Sequence, residues 1–145
     1  MNKYFLIIGA IVLIVAGGVV FRVFFLSEAA KPVTTGAQRE ITITAKQNQW
    51  RFEPEEIEVQ QGDRILLTVV NEDAYDHGIG IDAFGISQRM PAKSTIHVEF
   101  VATKAGEFPF YCSVPCGEGH VDGEKRSHFD MIGKLHVKSL ISEAR

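Results

Sequence analysis

Apolar residues follow two different patterns along the 145-residue chain. Near the N-terminus they form one continuous stretch from Tyr4 to Leu26, in which Arg22 is the only charged residue. A helix of this length would measure about 34 Å at ~1.5 Å per residue, which is enough to cross a hydrocarbon core of ~30 Å. The pattern predicts three parts: a membrane anchor at 1–30, a short polar linker at 31–39 and a folded domain at 40–145.

Charge around the apolar stretch predicts its orientation. Lys3 precedes it, and the tendency of positive residues to stay in the cytoplasm would place the domain on the other side. We therefore expect a protein of a bacterial inner membrane, with its C-terminal domain on the periplasmic side. A cleaved signal peptide is the alternative, because Ser27-Glu28-Ala29 loosely resembles a cleavage site. The apolar core of a signal usually runs only ~7–15 residues, which favours the uncleaved anchor.

Beyond the linker, short segments rich in β-branched and aromatic residues are separated by turn residues. They lie at 41–45, 57–60, 64–70, 78–81, 95–101, 107–112 and 132–138. Many short strands at this spacing predict an antiparallel β-sandwich or barrel. Alternation within the last strand and the one at 95–101 places His136 and His97 on the solvent side. Met90, which precedes Pro91, falls in a predicted loop.

The composition excludes one class of partner. Removing residues 1–30 takes away Lys3, Arg22 and Glu28 and leaves 13 basic and 17 acidic residues, a formal charge of −4. Because nucleic-acid binding needs a basic surface, we expect no nucleic-acid partner. A mildly acidic surface is compatible with a basic protein partner.

The segment from 112 to 131 concentrates metal-binding side chains. It contains both cysteines of the chain, two histidines and a methionine: Cys112, Cys116, His120, His128 and Met131. Soft and borderline ligands of this kind suit copper. Mg²⁺ or Ca²⁺ would select oxygen ligands, and zinc has little use for a methionine. A disulfide is the alternative, but cysteines four residues apart would need a tight loop, and a disulfide gives the histidines no role.

Two cysteines four residues apart can serve copper together. A thiolate can bridge two metals, so a loop with both cysteines could place a sulfur on each side of a metal pair. Each copper then needs a terminal imidazole, and a methionine thioether can complete the coordination. His77 lies between two predicted strands and is the natural candidate for the histidine from outside the segment.

These residues resemble the CuA domain of cytochrome c oxidase subunit II, a cupredoxin-like fold. The family's copper loop reads Cys-x3-Cys-x3-His-x2-Met, and a His-Gly or His-Ser pair precedes it far upstream. The chain supplies His77-Gly78, Cys112-x3-Cys116-Gly-Glu-Gly-His120 and Met131-Ile-Gly-Lys-Leu, and the segment 52–62 (FEPEEIEVQQG) looks like the family's early strand pair. The resemblance covers about residues 40–138. It implies a mainly β, cupredoxin-like Greek-key sandwich with one N-terminal transmembrane helix.

The resemblance also implies a role for each ligand. Cys112 and Cys116 would be the bridging thiolates of a binuclear CuA centre with two copper ions. His77 and the loop histidine would be the terminal ligands. Met131 would be a weak ligand of one copper, and the backbone carbonyl of Val114 a weak ligand of the other.

The chain departs from the family at one point, because eight extra residues separate two histidines. His120 has the family spacing from Cys116, whereas His128 has the family spacing to Met131. We favour His120 as the loop ligand, because the glycine-bearing turn before it would bring it to the metal, and His128 stays the alternative. The polar segment 121–127 (VDGEKRS) would then bulge into solvent near the metal.

The function implied by the resemblance is electron entry, with no catalytic residue on this chain. The copper centre would accept electrons from cytochrome c, or a similar donor, and pass them to haem in oxidase subunit I in the membrane. Three alternatives stay open: a stand-alone or nitrous oxide reductase-like CuA carrier, a mononuclear blue-copper protein and a copper chaperone or store. The mononuclear site would use His77, Cys116, His120 and Met131 and would leave Cys112 without a role. A store would need labile, exposed sites.

Overall fold

The structure is a computed structural model that describes residues 3–24 and 36–140. The chain divides into two compact units, Met1–Pro32 and Val33–Arg145. In the first unit, α1 spans Lys3–Phe24, and its described side chains are exposed. No helix within the described ranges is long and apolar enough to cross a membrane. The end of the predicted anchor, the possible cleavage site, linker residues 31–35 and residues 141–145 lie outside these ranges.

The second unit is built almost entirely from β-strands. Among its described residues there are eleven: β1 Gln38–Ala45, β2 Phe52–Glu53, β3 Glu56–Gln60, β4 Arg64–Asn71, β5 His77–Ile81, β6 Ile86–Met90, β7 Thr95–Val101, β8 Gly106–Tyr111, β9 Glu118–Val121, β10 Glu124–Ser127 and β11 Ile132–Lys138. Two 3₁₀ helices, Asp82–Phe84 and His128–Asp130, interrupt them. Each of the seven predicted strands corresponds to an observed one, with shifts of a few residues at the ends.

The strands form two larger sheets and a separate hairpin. The first sheet has the order β2-β1-β4-β7, and the second has the order β3-β11-β8-β5-β6. Within the described ranges, β9 and β10 pair only with each other. Most pairings are antiparallel, but β1 runs parallel to β4 and β3 runs parallel to β11. The predicted sandwich is confirmed, with both sheets mixed rather than purely antiparallel.

Alternation along the strands creates the core. In β4, the side chains of Ile65, Leu67 and Val69 are buried, while the residues between them are partly exposed. Aromatic rings add to this core, since the ring centroids of Phe52 and Phe110 lie 5.6 Å apart. Truncating a buried phenylalanine to alanine costs about 3–5 kcal/mol, so each of these rings contributes substantially to the domain's stability.

Three sequence predictions about single residues have different outcomes. His97 is exposed, as predicted. His136 is only half-buried, because its ring lies near the carboxylates of Glu56 and Glu107 on the neighbouring strands. The loop prediction for Met90 is wrong: Met90 is the fully buried last residue of β6. Strand β6 lacked an alternating signal, because only its two end residues are buried.

Candidate metal centre

Three neighbouring strands of the second sheet bring the candidate ligands to the same end of that sheet. His77 is the first residue of β5, Cys112 follows the last residue of β8, and Met131 precedes the first residue of β11. Because β8 lies between β5 and β11 and runs antiparallel to both, these three positions fall at the same end. The backbone N–H of Cys112 donates to the carbonyl of Met131 at 3.0 Å and closes the ladder there.

The two thiols lie side by side in a buried environment. The Sγ atoms of Cys112 and Cys116 are 3.5 Å apart, and both cysteines are free and buried. The imidazole Nδ1 of His77, also buried, lies 3.7 Å from Cys112 Sγ. The ligand atoms of these three residues all lie within 4.8 Å of one another, which is close enough for them to share a metal.

A second set of donors lies around Cys116. His128 Nδ1 is 3.8 Å from Cys116 Sγ, and the buried Met131 places its Sδ atom 3.5 Å from the same sulfur. On the other side, the carbonyl oxygen of Val114 lies 3.1 Å from Cys112 Sγ. Each cysteine therefore has its own histidine and its own weaker donor.

The structure does not bring the favoured His120 to these sulfurs. His120 is an exposed residue of β9, paired across the hairpin with Lys125. The extra residues fold into the β9–β10 hairpin, and the chain then returns to its starting point, since the N–H of His128 donates to the carbonyl of Gly117 at 3.0 Å. A one-turn 3₁₀ helix, closed by a reciprocal capping box between Ser127 and Asp130, carries His128. The geometry thus places His128, not His120, beside Cys116.

The close approach of β5 to the loop that carries the two cysteines depends on a glycine. A Cβ atom on Gly78 would collide with the Ser113 hydroxyl and would lie 2.9 Å from Cγ2 of Val114. The N–H of Gly78 also points at Cys112 Sγ, at 3.4 Å. The His-Gly pair therefore has a physical reason: glycine lets β5 contact the cysteine loop.

Several residues around the ligands were not singled out from the sequence. Asp73 Oδ2 lies 2.7 Å from His77 Nε2, and both side chains are buried. The indole N–H of Trp50 donates to the carbonyl of Cys116 at 3.3 Å. The ring of Tyr75 contacts both Trp50 and His77, and its centroid lies 6.1 Å from that of Trp50 and 5.2 Å from that of His77. A sequence signal existed only for Asp73, a polar residue just upstream of the candidate histidine.

The electrostatics of the thiol pair favour the loss of one proton before the other. The hydrogen bond with Cys116 lowers the pKa of Cys112, and contacts with His77 and the N–H of Gly78 lower it further against the effect of burial. The same thiol pairing, together with burial, raises the pKa of Cys116. Burial also lowers the pKa of His77, but its hydrogen bonds with Cys112 and Asp73 outweigh burial, and the pKa lies above its usual value.

The donor set fits copper better than the alternatives. Two thiols, two imidazole nitrogens and a thioether are soft or borderline ligands, which copper prefers. A structural zinc site takes four ligands of the cysteine and histidine type and has no use for the buried Met131. The disulfide alternative also fits poorly, because the two sulfurs lie 3.5 Å apart as free thiols, whereas a disulfide bond is ~2.05 Å long.

The chain is thus a β-sandwich that carries a group of one histidine and two cysteines able to hold a metal ion. The model of the cupredoxin-like domain family matches residues 14–121, which is more than half of the chain. The chain therefore belongs to the cupredoxin-like domain family, and its His77, Cys112 and Cys116 fit the copper-binding electron carriers of that family.

Two curated relatives are nitrous-oxide reductases. The protein from Stutzerimonas stutzeri is 30% identical over 90 residues, which are 60% of this chain and 13% of the reductase. The protein from Pseudomonas fluorescens is 29% identical over 86 residues, which are 57% of this chain and 12% of that reductase. The chain thus spans about an eighth of the length of these relatives.

Solved structures show the same fold at low sequence identity. A chain of a heme-copper terminal oxidase dimer has a TM-score of 0.58 and 18% identity, and the match covers 94% of this chain and 98% of that one. Auracyanin from Roseiflexus castenholzii has a TM-score of 0.55 and 19% identity, with 70% of this chain and 98% of auracyanin covered. These likenesses describe the architecture of the chain.

Proposed function

We propose that the domain is an electron carrier that holds two copper ions in a CuA-type binuclear centre. One observation carries the proposal: two free thiols lie 3.5 Å apart, and each has its own imidazole, at 3.7 Å for His77 and 3.8 Å for His128. A mononuclear site needs one thiolate and would leave the second thiol buried beside it without a ligand role.

Each residue of the set has a defined part in this proposal. Cys112 and Cys116 would bridge the two ions as thiolates. His77 and His128 would be the terminal ligands, one at each end. Met131 and the carbonyl of Val114 would add weak donors, whose distances to the nearer sulfur are 3.5 Å and 3.1 Å.

The chemistry requires the protein to hold the ligands still and to exclude water. Two bridged copper ions would supply a one-electron couple whose charge is shared between both metals. His77 is the first residue of β5, and Cys112 and Met131 directly adjoin β8 and β11, so these core strands hold the ligands with little need for rearrangement when the charge changes. Burial of both cysteines keeps water from the sulfurs. No acid, base or nucleophile is needed.

We further propose that the domain acts as an electron-entry subunit like subunit II of an oxidase. It would take electrons from a cytochrome c or a similar donor and deliver them to haem in a partner subunit. Support comes from the likeness to a chain of a heme-copper terminal oxidase over 94% of this chain. The similarity to nitrous-oxide reductase equally supports the alternative, a carrier that does not belong to an oxidase. Co-purification distinguishes the two: a haem-containing subunit should be isolated with the full chain if the domain is an oxidase subunit, and should be missing if it is not.

The proposed location is the outer face of a bacterial inner membrane, with α1 as the attachment. The support is that apolar side chains of α1 such as Ile11, Leu13 and Ile14 are more than half exposed. A helix that is apolar on all sides is typically surrounded by a protein core or by a membrane. Fractionation checks this: the full chain should remain with membranes after alkaline washing, and a chain released by that wash would contradict the proposal.

Copper stoichiometry and electron paramagnetic resonance test the binuclear centre. We expect two coppers per purified full chain and a hyperfine pattern with more lines than a single copper gives. In Cys112→Ser, the pair should be lost, because one bridge is missing. One copper per chain, with an absorption spectrum that Cys112→Ser leaves unchanged, would establish a mononuclear site instead.

A further inference from the structure

We propose that Asp73 is a positioning residue for His77, which fixes the imidazole so that Nδ1 faces the metal. The inference rests on the proposed copper site, but its structural part concerns the metal-free protein. His77 Nε2 lies 2.7 Å from Asp73 Oδ2, and the two side chains are 0% and 1% exposed. Water therefore does not compete for this hydrogen bond.

The hydrogen bond determines which ring nitrogen carries the proton. The second carboxylate oxygen, Oδ1, already accepts the backbone N–H of Asn48 at 2.7 Å. An ionised carboxylate only accepts hydrogen bonds, so Nε2 of His77 must be the donor. A neutral imidazole has one N–H, which leaves Nδ1 with its lone pair, 3.7 Å from Cys112 Sγ. The metal-binding nitrogen is thus set before a metal arrives.

Asp73 is itself held from two sides. Its N–H donates to the side-chain oxygen of Asn71 at 2.9 Å, and its carbonyl accepts the N–H of Lys93 at 2.9 Å. The amide group of Asn71 in turn donates to the carbonyls of Met90 and Pro91, at 3.2 and 3.0 Å. This buried frame joins the end of β4 to the turn between β6 and β7 and fixes the backbone of Asp73, while the N–H of Asn48 holds the carboxylate itself beside the ring.

The arrangement is different at the other end of the site. Among the described residues, no carboxylate is hydrogen-bonded to His128, which is also only partly buried. A carboxylate on the outer nitrogen makes an imidazole a stronger donor to a metal, and losing such a partner typically weakens metal binding about 10–100-fold. His77 should therefore be the more strongly donating terminal ligand.

The test uses Asp73→Asn, with Asp76→Asn as the matched control. In Asp73→Asn, the N–H of Asn48 still needs an acceptor, so the amide oxygen faces Asn48 and the amide N–H₂ faces His77. The ring must then accept at Nε2 and carry its proton on Nδ1, the metal-binding atom. Asp76→Asn removes the same charge beside His77, but the Asp76 carboxylate contacts Arg89 and the N–H of Ala92 rather than the imidazole.

Nitrogen-15 NMR of the histidine rings in the metal-free full chain gives the first readout. At a pH above the pKa of the His77 imidazole, where the ring is neutral, we expect the Nε2–H form in the wild type and in Asp76→Asn, and the Nδ1–H form in Asp73→Asn. The Nδ1–H form in the wild type would overturn the inference even if Asp73→Asn failed to fold. An unchanged ring form in a folded Asp73→Asn would overturn it as well.

Copper binding gives the second readout and separates this inference from the proposed function. Copper affinity should fall about 10–100-fold in Asp73→Asn, and the reduction potential should rise, because a weaker donor stabilises the oxidised state less. Equal changes in Asp76→Asn would show that charge, not the hydrogen bond, is responsible, and would overturn the inference. A wild type with the expected ring form but no copper would contradict the proposed function alone.

Discussion

Met131 shows how one side chain can serve both the core and the site. Met131 directly precedes β11 and is fully buried, and its Sδ atom lies 3.5 Å from Cys116 Sγ. A thioether is a weak, soft donor, so it tunes a copper site more than it holds the metal. The packing and ligand roles can therefore be separated by a substitution that conserves volume.

We expect Met131→Leu to keep both coppers and to raise the reduction potential, because the oxidised state loses a donor. Exchanges between methionine and leucine usually cost less than ~1.5 kcal/mol, so the fold should be retained. Voltammetry and metal analysis of the same sample check the two parts. Met90→Leu is the control, since Met90 is equally buried but belongs to β6. Loss of copper in Met131→Leu would show that the thioether holds the metal.

The two histidines of the copper loop give a second prediction at this scale. His128 Nδ1 lies 3.8 Å from Cys116 Sγ, whereas His120 is exposed on β9. His128→Ala should therefore abolish the mixed-valence signal, and His120→Ala should leave it nearly intact. Electron paramagnetic resonance of both variants provides the check. The reverse pattern would restore His120 as the loop ligand.

At the scale of elements, the β9–β10 hairpin is an addition to the copper loop rather than a rearrangement of it. The chain leaves at Gly117 and returns at His128, and these two residues share a backbone hydrogen bond of 3.0 Å. The hairpin also rests on Trp50, because a Cβ atom on Gly119 would collide with the indole ring. The local site is thus complete without the hairpin's strands.

This separation predicts that the hairpin can be removed. Deleting the eight residues 118–125 joins Gly117 to Arg126 and gives Cys116-Gly-Arg-Ser-His128, which has the family spacing. The deletion keeps the Ser127–Asp130 capping box, which closes the 3₁₀ helix that begins at His128. The shortened chain should bind two coppers with a mixed-valence signal like that of the full loop. Because it lacks His120, loss of the signal would show that His120 or the hairpin is needed.

The same elements explain which parts of the site the sequence could predict. Ligand types and strand alternation are local properties, so the candidate ligands His77, Cys112, Cys116 and Met131 and seven of the eleven described strands could be predicted. The choice between His120 and His128 could not, since spacing alone supports both. That choice depends on how the hairpin closes: the N–H of His128 bonds to the carbonyl of Gly117, and ten residues lie between them. Trp50 is 66 residues from the Cys116 carbonyl that it contacts, and no local pattern reports such a pairing. Asp73 is only four residues before His77, but its polar character alone does not show that it is buried against the imidazole.

For the whole molecule, the site ties together segments that are far apart in the chain. His77 comes from β5, the cysteines from the loop after β8, and Met131 from the start of β11. The unfolded chain cannot present these ligands in one place, so a metal that binds all of them binds the folded state preferentially. Copper should therefore stabilise the whole domain and not only its loops.

Thermal unfolding of the full chain with and without copper tests this coupling. At a free copper concentration of ~100 times Kd, binding adds about 2.7 kcal/mol, and each kcal/mol shifts the Tm of a domain of ~100 residues by roughly 4–8 °C. We expect copper to raise Tm by about 10–20 °C on that basis. A chain with Cys112→Ser and Cys116→Ser should unfold near the metal-free temperature whether or not copper is present. An equal rise in Tm in this double variant would show that copper acts elsewhere on the chain, and no rise in the wild type would mean that the ligands do not bind copper together.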